Sequence, residues 1–126
     1  IQELTWGRMC DKIICAQGVG DGEQIGPIMQ LCAKRGRVVV TNIHPAEETS
    51  IDISLCDLTL MEKQLVGTIF GSANPNSDIP RLMHLYRNGQ LDLAGMVTRE
   101  YALDDINQGF DDMLGGRNIR GVLRYR

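Results

Sequence analysis

No basic stretch dominates this chain, and its formal net charge is −3. That balance argues against a nucleic-acid or membrane-surface partner, since both recruit dense positive charge. Long apolar runs are missing as well. Arg37–Thr41, with its three valines, falls far short of the roughly 20 residues that span a bilayer. Ile1–Trp6 has neither the basic start nor the apolar stretch of a secretory leader. The lack of an initiator methionine raises the expectation that the chain is a piece of something longer. The cysteines, Cys10, Cys15, Cys32 and Cys56, show no C-x-x-C spacing, so the pattern of a paired zinc site is absent. Cys15 lies in an apolar run and Cys32 on the expected apolar side of a helix. Both read as reduced core thiols, which predicts a reducing, cytoplasmic setting.

What is present predicts an ordered α/β domain. Hydrophobic residues make up 43% of 126 positions, enough for a real core but not for a large two-domain enzyme. Lys12–Ala16 reads as a buried strand stopped by Gly18, Gly20 and Gly22. Between Glu23 and Arg35 the apolar residues Ile25, Ile28, Met29, Leu31 and Cys32 recur at helical spacing. Lys34 and Arg35 suit a helix C-terminus, and Gly36 is the expected stop. Val38–Thr41 is a second strand without polar alternation, as in a parallel sheet covered on both faces. The three elements form a βαβ unit. His44–Ser54 reads as a loop and Leu65–Phe70 as a third strand. Asp78 and Pro80 open a helix through Leu82, Met83, Leu85 and Tyr86, ended by Asn88-Gly89. Val97 and its neighbours are briefly extended. Asp104 or Asp105 caps a helix through Ile106, Phe110 and Met113 that Gly115-Gly116 closes, and Ile119–Tyr125 is a terminal strand.

Three parallel strands with one intact crossover make half of a doubly wound sheet, and the first strand would expose an unpaired apolar edge. No G-x-G-x-x-G follows any strand. Gly18-Val19-Gly20-Asp21-Gly22 has the wrong spacing and reads as a flexible strand-to-helix turn. The half of a Rossmann fold that binds pyrophosphate is therefore expected to lie outside this chain.

The order of these segments carries a resemblance. GRVVVTNI, LVGTIFGS, SDIPRLMHLYRNGQL, Val97-Thr98-Arg99, INQGFDDMLGG and NIRGVLRYR run parallel to the C-terminal stretch of zinc-dependent medium-chain alcohol dehydrogenases. The resemblance covers nearly the whole chain. Its most specific parts are Ile69-Phe70-Gly71, Ile106-Asn107-Gln108-Gly109-Phe110 and Ile119-Arg120. Trp6–Lys12 and Thr41–Pro45 look closest to the actinobacterial branch that uses nitrosodimethylaniline as an artificial electron acceptor.

The resemblance implies a fold class: α/β, the second half of a Rossmann-type doubly wound parallel sheet plus the C-terminal segment of the catalytic domain. Residues 1–71 would form the C-terminal half of the dinucleotide-binding domain, and 72–126 the segment returning to the catalytic domain. Ligands of such sheets lie beyond the carboxyl ends of the strands. The resemblance thus implies cofactor-binding roles for Ala16, Gln17 and Gly18 beside the adenosine half. Thr41, Asn42, Ile43, Thr68, Ile69 and Phe70 would line the nicotinamide. Ile43 and Ile69 would also pack against substrate, although by themselves they read as ordinary strand-end core. Arg120 would reach the cofactor pyrophosphate, where a planar guanidinium makes two charge-assisted hydrogen bonds. Without the resemblance it reads as a solvated surface arginine like Arg117 and Arg124.

The implied cofactors are NAD and zinc, with every zinc ligand upstream of this chain. His84 reads as a surface residue and His44 as a loop residue near the nicotinamide rim. Neither has a Cys or carboxylate at ligand spacing, so no catalytic group and no metal ligand are assigned here. The implied activity of the parent is oxidation of a primary alcohol to an aldehyde, or the reverse, with zinc polarising the alcohol oxygen. Alone, the chain is expected to be inactive. Residues Asp57–Gly71 would supply the edge of a homodimer, or of a tetramer built from such dimers. The alternatives are a zinc-free quinone oxidoreductase, a thiol-dependent formaldehyde dehydrogenase, or a non-enzymatic ligand-binding or dimerisation module.

Overall fold

The computed structural model describes residues 1–125, and the chain divides into two compact units, Ile1–Ala73 and Asn74–Arg126. In the first unit, β1 (Cys10–Cys15), α1 (Ile25–Gln30), β2 (Cys32–Val40), α2 (Leu55–Leu60) and β3 (Gln64–Gly67) build a sheet of order β1-β2-β3. Both pairings are parallel, with Ile13 opposite Val38 and Val38 opposite Leu65. Val38 is wholly buried and packs in one cluster with Cys15, Ile25, Met29 and Cys32. A parallel arrangement needs a connection over the sheet face after each strand, and both are present. The second was not expected from the sequence. It is α2, whose first turn is capped where the Ser54 hydroxyl accepts from the Asp57 N–H at 3.1 Å. The Lys63 ammonium links the crossovers, donating to the Met29 carbonyl (3.0 Å) and to Asp57 (2.7 Å).

The first helix is shorter than its apolar spacing predicts. It stops at Gln30, and Cys32–Arg35 belong to β2 rather than to a helix. Pairing decides this: Cys10 donates to the Leu31 carbonyl at 3.0 Å and sits opposite Cys32 in the ladder, so the strand captures the segment. Gly36 is no helix stop. A β-carbon there would lie 2.6 Å from the Cys32 sulfur and 2.9 Å from the Ala33 carbonyl, so close packing requires glycine.

In the second unit, α3 spans Pro75–Arg87, β4 Arg99–Ala102, α4 Ile106–Leu114 and β5 Gly121–Arg124. The helix α3 opens earlier than Asp78. Asn74 caps it by accepting from Asn76, and the Asp78 carboxylate accepts from the Asn74 N–H at 2.7 Å. Pro75 occupies the first helical position, where its missing N–H costs nothing. Strands β4 and β5 pair in parallel with α4 between them, a second small βαβ arrangement. No helix among the described residues is long and apolar enough to cross a membrane.

Candidate functional site

The carboxyl ends of the three strands in the first unit are stitched into one rim. After β1 come Ala16, Gln17 and Gly18, all exposed. After β2, Thr41 turns back on β1: its N–H and its hydroxyl both donate to the Cys15 carbonyl, at 3.1 and 2.7 Å. Two residues further on, Ile43 bridges Val19, and its carbonyl accepts from the Gly20 N–H at 3.0 Å. After β3, Thr68 donates to the Val40 carbonyl at 3.0 Å. Backbone bonds therefore hold the β1 and β3 tips to β2.

The side chains on this rim are not folded inward. Ile43 is 77% exposed, Ile69 72% and Phe70 91%. Phe70, Gly71 and Ser72 follow one another in left-handed backbone, with φ of 48°, 67° and 54°. For Phe70 and Ser72 that conformation is sterically costly, and such outliers gather at functional sites. Gln17 is tied down, its amide donating to Gln24 at 2.8 Å.

The glycine turn behind the rim is open at Gly18 and closely packed at Gly20 and Gly22. A β-carbon on Gly20 would collide with the side chains of Asn42 and His44. The Gly22 N–H donates to a Glu48 carboxylate oxygen at 2.6 Å. Several buried polar atoms around this turn have no partner: both amide atoms of Asn42, Nε2 of His44 and the second Glu48 oxygen. Unpaired buried polar atoms are costly unless water or a ligand satisfies them. Sequence reasoning assigned only Asn42 of these to the site. Glu48 was missed because a glutamate in a polar loop carries no signal that a backbone N–H 26 positions earlier will select it.

In the second unit the feature the sequence did not disclose is Asp112, 1% exposed and the centre of a polar hub. One carboxylate oxygen accepts from Arg117 Nε (2.8 Å) and Gln108 (3.0 Å); the other accepts from the Tyr101 hydroxyl (2.8 Å) and Arg99. The Arg117 hydrogen bond, then that of Tyr101, holds the carboxyl well below the usual carboxylate range, against the opposing effect of burial. The Tyr101 hydroxyl in turn accepts from Asn118 at 2.9 Å. Arg117 is thus not a free surface arginine, and neither is Arg124, which bonds Glu100 through two nitrogens at 2.5 Å each. Arg120 differs from both. It is exposed, makes no side-chain hydrogen bond or ion pair among the described residues, and lines a groove with Ile106, Phe110, Met113 and Ile119.

The remaining candidates are quickly placed. His44 is half-buried in its loop, and His84 is exposed on α3 beside Asn88. Cys15 and Cys32 are buried free thiols, which burial pushes up from the ordinary cysteine value, while Cys56 is exposed. No group of three or more His, Cys, Asp or Glu side chains able to hold a metal occurs among the described residues.

No family model matches the chain. It is 45% identical over 125 residues to alcohol dehydrogenase B of Mycobacterium tuberculosis, covering 99% of this chain and 33% of that relative. To the NDMA-dependent alcohol dehydrogenase of Amycolatopsis methanolica it is 38% identical over 125 residues, covering 99% and 34%. Among solved structures, benzyl alcohol dehydrogenase from Acinetobacter calcoaceticus superposes with a TM-score of 0.87 at 25% identity, covering 99% of this chain and 33% of that one. The chain thus spans about a third of the length of the relatives it matches. Over its whole length it is a homologue of the alcohol dehydrogenases, and it corresponds to the C-terminal part of the zinc-type α/β structures.

Proposed function

We propose that this chain forms the nicotinamide-side wall of an alcohol oxidoreductase. The whole protein would pass hydride between a primary alcohol or aldehyde and a nicotinamide cofactor, NAD by analogy with relatives, with zinc assistance. The open rim of the first unit carries the reading: three parallel strand ends joined by backbone bonds, with Ile43, Ile69 and Phe70 turned to the outside. Monomeric proteins rarely leave such side chains grouped without a use.

A dinucleotide suits the residues present. Exposed apolar side chains can pack a flat ring, and the unpartnered Asn42 amide can satisfy polar groups. The nicotinamide ring supplies the hydride acceptor. The chain's own contributions are geometric. Ile43 and Ile69 pack ring and substrate and exclude water, Thr68–Phe70 and Thr41–Ile43 offer backbone groups, and Ala16–Gly18 flank the adenosine half. Arg120 forms paired hydrogen bonds with the pyrophosphate. Zinc would be held by ligands outside this chain; among the described residues no three His, Cys, Asp or Glu side chains are grouped to hold a metal. The free edge within Asp57–Gly71 joins the sheet of a second copy, which sedimentation of the full-length protein should show as a dimer or tetramer. The compartment we assign is the cytoplasm.

The test is cofactor titration of the full-length protein. Arg120→Ala should weaken NAD binding by about tenfold, the scale of one lost charge-assisted contact. Unchanged affinity would remove Arg120 from the site. Calorimetry on the 126-residue chain should show no micromolar NAD binding. Zinc analysis of the full-length protein should find metal; its absence would favour a zinc-free quinone oxidoreductase.

A further inference from the structure

Among the described arginines from Arg99 onward, Arg120 alone has no anionic partner, and the reason lies next to it. Arg117 and Asn118, three and two residues earlier, are both bound into the Asp112 hub: Arg117 directly, Asn118 through the Tyr101 hydroxyl. Arg117 also donates to the Asp111 carbonyl at 2.8 Å. The next two residues are fixed from the other side. The Ile119 N–H donates to the Thr98 hydroxyl at 2.9 Å, and the Arg120 carbonyl accepts from the Thr98 N–H at 3.1 Å. Four consecutive residues are therefore anchored, and the first charged side chain beyond the hub's reach is the exposed guanidinium of Arg120. Tyr101 and Asn118 belong to the wall of the same groove as Arg120.

We infer that the Asp112 hub, with Tyr101 and Asn118, is a positioning device that holds Arg120 out for the phosphates of a dinucleotide. This rests on the reading of Arg120 as a phosphate anchor. Asp112 itself touches no ligand. It holds the Arg99 and Arg117 side chains by hydrogen bonds, whereas Arg120 is left without one among the described residues, and it stiffens the turn from which Arg120 projects. Less conformational entropy is then lost when phosphate arrives.

The experiment is a double-mutant cycle on the full-length protein, read as the dissociation constant of NAD. Asn118→Ala removes one tether with little loss of packing, and Asp112→Asn removes the anion. Thermal unfolding confirms that each variant is folded, and Asn118→Ala keeps the test alive if Asp112→Asn is not. With Arg120 present, Asn118→Ala should raise the constant about fivefold; in the Arg120→Ala background it should change it by less than about twofold. A merely structural tether would weaken binding equally in both backgrounds, and that result would overturn the inference while sparing Arg120. No effect of Asn118→Ala in either background would overturn it too. No effect of Arg120→Ala alone would remove both the anchor and its support.

Discussion

In Ile1–Ala73 the side chains withdrawn from water are Cys15, Ile25, Met29, Cys32, Ala33 and Val38, all apolar, whereas in Asn74–Arg126 the one buried side chain among the described residues is Asp112, an anion. The two units are thus held by different forces. Apolar burial is roughly proportional to area and indifferent to direction, so the first unit should absorb modest changes of shape. A buried carboxylate with four side-chain donors depends on every bond pointing correctly, and a half-satisfied hub is worse than none.

Breaking the hub should have the largest effect. Asp112→Asn leaves Arg99 and Arg117 without their anion, and should lower the unfolding midpoint of the second unit by on the order of 10 °C in calorimetry. Met29→Ala tests the other unit. It removes a side chain that is 4% exposed and should cost about 2–5 kcal/mol in denaturant unfolding, without moving the second unit's transition. Equal sensitivity of both transitions to either change would show that the two cores are not separate.

The pH dependence should separate them in opposite directions. The Asp112 carboxyl is depressed in the fold, so its contribution is present above the unfolded carboxylate pKa, about 3.9. It is lost only as pH falls through the lower folded value, and the second unit should hold until strongly acid conditions. Burial pushes the Cys15 and Cys32 thiols up from the ordinary cysteine value of 9.0. Their contribution is present below that pH and is lost as pH rises from it through the folded values. Alkali should therefore loosen the first unit first, as circular dichroism between pH 7 and 11 can show. The smallest effect is expected of Arg124→Ala. Its ion pair with Glu100 is solvent-exposed on both sides, and no measurable change in midpoint should follow.

The same contrast explains what the sequence disclosed. Val38–Val40 and Ile13-Ile14 are β-branched runs, one preceded by Gly36 and the other followed by Gly18, so the strands were legible, as was the parallel arrangement. The end of α1 was not, because Leu31 and Cys32 sit at helical spacing while their partner, Cys10, lies more than twenty positions earlier. The helix α2 was hidden by its brevity, six residues after a polar loop. Asp112 reads locally as one of two acids on an amphipathic helix. Its donors Arg99, Tyr101, Gln108 and Arg117 bracket it in sequence, a clue to an ion hub, but only the pairing of β4 with β5 brings them to one point. The rim candidates on Thr41–Ile43 and Thr68–Phe70 were named from the resemblance; their exposure was visible only in three dimensions.

Gly20 lies where the turn after β1 passes Asn42 and His44 so closely that even one added carbon has no room. The missing side chain therefore works as a gauge block for the Asn42 amide and the His44 ring, whose ends lie where a β-carbon would stand. A methyl group inserted there would act as a wedge, turning both side chains out of their places while leaving the strands themselves unaltered.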